Sequence, residues 1–277
     1  MSGDAHLPQT EVSRRVAKSL AAAALAAVLA VALPFAAHAE APRCDAPLDM
    51  IRFANPLQHF TERLISGEPI TIVAMGSSST QGAGASSPQA TYPSRLAAEL
   101  KQQFPGHSIT VINRGVGGEE VGDMLKRFDS QIVAARPDLV LWQLGTNSVI
   151  HDKKIDDNAA MIHEGLAKIR STGADVVLID PQYAPKVIVK ADAPRMVELI
   201  AVAAKREDVD LFRRFDVMKR WYDVDHMTFE HFISPDGLHM NDWSYACLAK
   251  ALGQAIAEAA QRPVMSATIM PHLMHSE

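Results

Sequence analysis

Residues 69–82 read PITIVAMGSSSTQG, a β-branched apolar run that passes directly into three consecutive serines bracketed by glycines. The run has the length of a buried strand. Ser and Gly are what turns use, so one reading is a polar loop leaving that strand. The other reading is chemical, because open α/β sheets take their ligands at the carboxyl ends of their strands, where a hydroxyl can be presented as a nucleophile. The tripeptide suits both, and the rest of the chain has to decide.

Similar runs recur at SITVINR (108–114), DLVLWQL (138–144), ADVVLID (174–180) and, more weakly, VDLF (209–212). Between them, helical spacing appears over 92–104, 119–135, 156–172 and 193–207, and a last helix is expected over 242–261. Strands that alternate with helices predict βαβ units, here a three-layer α/β/α sandwich around a five-stranded parallel sheet. No internal repeat is visible.

The first 39 residues read as a cleaved signal peptide. Arg14, Arg15 and Lys18 form a basic region, 20–36 is an Ala/Leu/Val run, and Ala37-His38-Ala39 fits a small-x-small cleavage site. A membrane span needs about 20 apolar residues, so the run is short for an anchor. Ser13-Arg14-Arg15 hints at a twin-arginine signal, but Ala17 stands where that pattern wants a bulky apolar residue, which favours the general secretory route. The expected location is periplasmic or secreted, with no membrane anchor after cleavage.

The expected organisation is then 1–39 signal, 40–68 an N-terminal segment packing on the domain, 69–262 the domain, and 263–277 a loosely held tail. The chain carries a formal net charge of −5, and losing the leader removes more basic than acidic residues. A mildly acidic protein has no electrostatic reason to seek nucleic acid or an anionic membrane surface. Its two cysteines, Cys44 and Cys247, would meet an oxidising compartment, where paired thiols close. Cys44 is not a lipoprotein cysteine, since Ala41-Pro42-Arg43 lacks the small and apolar residues such a signal needs.

Each strand end carries unusual punctuation. Gly76-Ser77-Ser78-Ser79-Thr80-Gln81-Gly82 follows the first strand, Asn113-Arg114-Gly115-Val116-Gly117-Gly118 the second, and Gly145-Thr146-Asn147 the third. Asp236-Gly237-Leu238-His239 leads into the last helix. These four blocks, in this order, resemble those of the SGNH hydrolases, also called GDSL esterases and lipases, over roughly residues 70–260.

The resemblance implies a flavodoxin-like sheet and a serine esterase. Ser78 matches the nucleophile, His239 the base that takes its proton, and Asp236 the acid that orients the imidazole. The backbone N–H groups of Ser78 and Gly118, with the Asn147 amide, match the oxyanion hole. Glycine at 118 is expected because backbone that approaches a substrate closely has no room for a Cβ. One position departs from the pattern: Ser77 stands where the family usually has Asp, which suggests altered support of the loop. It leaves three adjacent serines to choose among, and the spacing to Thr80 and Gly82 selects Ser78.

No cofactor or metal is expected. His226 and His231 with Asp223 and Asp225 offer a weaker metal-ligand reading than a solvated rim. Trp142 reads as core. Asp180 and the PQYAPKV stretch after it (181–187) are candidates to line the crevice. The rims over 83–91, 181–190 and 223–235 hold no continuous apolar groove, so short acyl esters are expected, with O-acetyl groups on carbohydrate among them. Lysophospholipase or thioesterase action is the alternative, as is a non-hydrolytic acyl-transferring or carbohydrate-binding relative. The partner is a small-molecule or carbohydrate ester, with no nucleic acid.

Overall fold

The computed structural model describes residues 44–262. Five strands, β1 (Ile70–Gly76), β2 (Ile109–Gly115), β3 (Leu139–Gln143), β4 (Asp175–Ile179) and β5 (Asp210–Phe212), pair in parallel in the order β2-β1-β3-β4-β5. Successive connections leave β1 in one direction and then run the other way from β3. The loops after these two neighbours therefore diverge and open a crevice at the sheet's carboxyl edge.

β3 is buried along its whole length, while the edge strand β2 is only partly covered. Helices cover both faces, as a parallel sheet requires. Tyr92–Gln103 packs on Asp242–Gln261, and Asp157–Arg170 packs on Ala193–Arg206. The last helix is rich in Ala, the strongest helix former, and buries most of its length. Its start is fixed by a capping box, in which Asn241 Oδ1 accepts the Ser244 N–H while Ser244 Oγ accepts that of Asn241.

Several elements differ from the sequence expectation, the helix Gln58–Ser66 ahead of the sheet among them. The helix expected over 119–135 is broken into Val121–Lys126, Phe128–Gln131 and a 3₁₀ turn, Val133–Ala135. Arg127 leaves helical geometry at the break (φ −112°, ψ 7°), and Phe128 turns inward against Trp142, with ring centroids 5.0 Å apart. The helix Arg214–Asp223 was not expected; its i, i+3, i+4, i+7 stripe of Arg214, Val217, Met218 and Trp221 is buried. Charged residues between those positions mask the stripe in the sequence.

Ahead of the sheet, Ile51, Phe53, Leu57 and Phe60 are buried in the core, and Cys44 is disulfide-bonded to Cys247 of the last helix. The residues expected to form a leader and its cleavage site, and those of the 263–277 tail, lie outside the described residues. Among those described, no helix is long and apolar enough to cross a membrane.

Candidate active site

β1 ends at Gly76 and the chain turns at once. Ser78 opens a one-turn helix, Ser78–Gln81, which Gly82 closes at φ +110°. Ser77 and Ser79 are buried at 2% and 1% exposure, whereas Ser78 is partly exposed. Its Oγ lies 2.8 Å from His239 Nε2, and His239 Nδ1 lies 2.5 Å from Asp236 Oδ2. The three side chains thus form one hydrogen-bonded line.

The loop that carries His239 and Asp236 is short and closed at both ends. Ile233 and Met240 form an antiparallel bridge, Ser234 N–H donates to the His239 carbonyl, and Gly237 N–H to the Ser234 carbonyl. Asp236 Oδ1 accepts the N–H groups of Leu238 and His239, both at 2.9 Å. Partial burial alone would push the Asp236 carboxyl up, but the hydrogen bonds from His239 and Leu238 outweigh it and hold it below the usual carboxylate range. It stays ionised beside the imidazole.

The loops after β2 and β3 meet beside Ser78. A Cβ on Gly117 would stand 3.8 Å from Ser78 Cβ. Asn147, in the short helix Thr146–Ile150, donates one amide hydrogen to the Glu119 carbonyl at 2.7 Å and keeps a second N–H. At Gly118 the backbone, at φ +80°, itself favours glycine, and a Cβ there would meet no protein atom within 4 Å. A close approach within the protein lies at Gly115, whose Cβ would come within 2.0 Å of Gln81 N.

Several residues that hold the site were not foreseen from the sequence. Gln143 Oε1, at the end of β3, accepts from Ser77 N, Ser77 Oγ, Ser79 Oγ and Thr80 Oγ1 at 2.9 to 3.2 Å. This is the support that the turn has with Ser77 in place of Asp. Arg214, fully buried, donates from Nη1 to Ser79 Oγ and from Nε to the Asp180 carbonyl. Gln182, 1% exposed, accepts from Thr146 Oγ1 and donates to the Leu238 carbonyl, tying the Asn147 loop to the His239 loop. The visible signals were a polar residue inside the apolar run DLVLWQL, for Gln143, and the PQYAPKV stretch (181–187), for Gln182.

Asp180 does not line the crevice. It is fully buried and accepts the Phe215 N–H, and burial pushes its carboxyl up to about 7 against the opposing Phe215 hydrogen bond and Arg214 charge. Asp223 pairs with Lys219, Asp225 with Arg220, and the His231 ring packs on Trp243. Trp142 is fully buried. A cleft of about 440 Å³ borders the His239 loop, walled by Gly84, Pro185, Phe229, Ile233 and Pro235, with Glu230, Ser234 and Asn241. A larger one, about 560 Å³, lies between two outer helices and touches none of these residues.

The model of the Non-GDSL lipase-like family matches residues 43–262. The chain belongs to that family. It is thereby an SGNH-type hydrolase, and the family's description suits a block that reads Gly-Ser-Ser. An arylesterase of Vibrio mimicus is 25% identical over 172 residues, 61% of this chain and 79% of that protein. A two-domain esterase (CEX) active on acetylated mannans superposes with a TM-score of 0.66 at 19% identity, covering 78% of this chain. This member of the family spans only 57% of that two-domain chain. A lipase/acylhydrolase from Enterococcus faecalis gives a TM-score of 0.56 at 22% identity, covering 68% of this chain and 96% of its own. At such identities the likeness is one of fold.

Proposed function

We propose that the protein is an exported serine esterase that hydrolyses short-chain carboxylic esters, O-acetyl groups on carbohydrate among them. The hydrogen-bonded line Ser78–His239–Asp236 at the crevice carries this reading. His239 Nε2 takes the Ser78 proton as Oγ attacks the ester carbonyl. The tetrahedral oxyanion is met by the N–H groups of Ser78 and Gly118 and the second amide hydrogen of Asn147. His239 then returns the proton to the departing alkoxide, leaving an acyl-Ser78 ester. Water that loses a proton to His239 cleaves this ester and regenerates the hydroxyl. Asp236 stays ionised throughout, fixing the imidazole tautomer and stabilising the imidazolium.

The names of the arylesterase and of the esterase active on acetylated mannans support ester hydrolysis and a sugar-bearing alcohol. Export is supported by the leader sequence and by the Cys44–Cys247 disulfide, a bond that persists in oxidising compartments. The preference for short acyl chains rests on the mixed polar and apolar sequence of the rims, since a long chain would need a continuous apolar groove, each buried methylene contributing about 0.8 kcal/mol. The cleft walled by Gly84, Pro185, Phe229, Ile233 and Pro235 is the surface a longer chain would use. On p-nitrophenyl esters from two to sixteen carbons, kcat/KM should peak between acetyl and butyryl and fall steeply by octanoyl. A maximum at twelve carbons or beyond would move the reading to a lipase or lysophospholipase.

A further inference from the structure

Resting on that reading, we infer that Arg127 is a positioning residue of the oxyanion hole, acting through Glu119 on Gly118 and Asn147. Its guanidinium grips both ends of the loop that follows β2. Nε donates to Glu119 Oε1 and Oε2 at 2.8 and 2.9 Å, and Nη2 donates to Glu119 Oε2 at 2.5 Å and to the Arg114 carbonyl at 2.8 Å. The two side chains are 18% and 14% exposed, so solvent competes little with the pair.

The loop has need of such a grip. Val116, Gly117 and Gly118 are exposed, and two of the three are glycine. Glu119 adjoins Gly118, and its own carbonyl takes the Asn147 amide at 2.7 Å. A displacement of Glu119 therefore moves a backbone donor and a side-chain donor of the oxyanion hole together. The break in the helix at Arg127 turns its side chain back toward the loop, whereas the preceding Lys126 points to solvent and pairs with Asp123.

Steady-state hydrolysis of p-nitrophenyl acetate by Arg127→Met, with thermal unfolding in parallel, tests this. We expect kcat to fall about 10- to 100-fold with KM within about 3-fold, as misplaced oxyanion donors cost transition-state binding. The decisive comparison is the Asn147→Ala background, where Arg127→Met should cost a clearly smaller factor than in wild type, because one of the two donors it positions is already gone and only Gly118 is left to be displaced. A purely structural role would cost the same factor in both backgrounds. Should Arg127→Met not fold, Glu119→Gln keeps the carbonyl but loses the charged pair, and should show a smaller kcat loss with the same non-additivity. Wild-type kcat in Arg127→Met, or equal factors in the two backgrounds, overturns the inference. Ser78→Ala separates the two levels: if it retains turnover the esterase reading of this site fails, and if it is dead while Arg127→Met is normal only the role of Arg127 fails.

Discussion

Of the three serines in a row, Ser78 is the one that combines solvent access with a base 2.8 Å away. Its neighbours face inward to Gln143, and Ser79 also to Arg214. Ser78→Ala and His239→Ala should each lower kcat by several orders of magnitude, and the double variant should lose little more, since the pair acts as a unit. Ser77→Ala and Ser79→Ala should be far milder in turnover and show mainly in stability. Near-normal kcat in Ser78→Ala, with Ser77→Ala dead, would reassign the nucleophile. Because its hydrogen bonds hold the Asp236 carboxyl low, that group stays charged as pH falls below neutral. Protonation of Asp236 should therefore not lower kcat near neutral pH.

At the scale of elements, the site is three loops and a turn held from beneath by buried amides. Gln143→Ala would remove the acceptor used by Ser77 N, Ser77 Oγ and Ser79 Oγ, while Thr80 Oγ1 keeps Tyr92 OH as a partner. A buried polar group stranded in this way costs about 1–3 kcal/mol. Urea unfolding should show a loss of at least that size, accompanied by reduced kcat; unchanged stability would mean that the turn is supported otherwise. The strands, most of the helices and the four blocks were legible in the sequence because each is a local pattern. The supports were not, because each is made by tertiary convergence. Arg214 reads in RRFDVMKRW as one more surface cation, and only the fold shows it buried against Ser79. The broken helix at Arg127 was likewise hidden, as continuous helical spacing passes through it.

Across the whole molecule, the segment ahead of β1 is joined to the sheet's far edge through Asp210, the first residue of β5, which accepts the Asn55 N–H at 3.0 Å. Burial pushes the Asp210 carboxyl up to about 6, against the Asn55 and Ala54 hydrogen bonds and the Arg262 charge. A carboxyl raised in the folded state is easiest to keep when protonated. Its contribution is full below the ordinary Asp value of about 3.9 and is lost as pH rises through about 6. The urea midpoint of Asp210→Asn relative to wild type should therefore be higher at pH 8 than at pH 4.5. An equal difference at both values would show that this carboxyl is not buried at a cost.

The central claim, that ester hydrolysis passes through an acyl group on Ser78 activated by His239, is tested most directly by mapping the adduct of a fluorophosphonate. Such reagents form a stable ester with a serine made nucleophilic by its base. Peptide mass spectrometry should find a single modified serine, Ser78, with activity lost in proportion to labelling and no labelling in His239→Ala. A stoichiometric adduct on another serine, or full esterase turnover with Ser78 modified, would contradict the account.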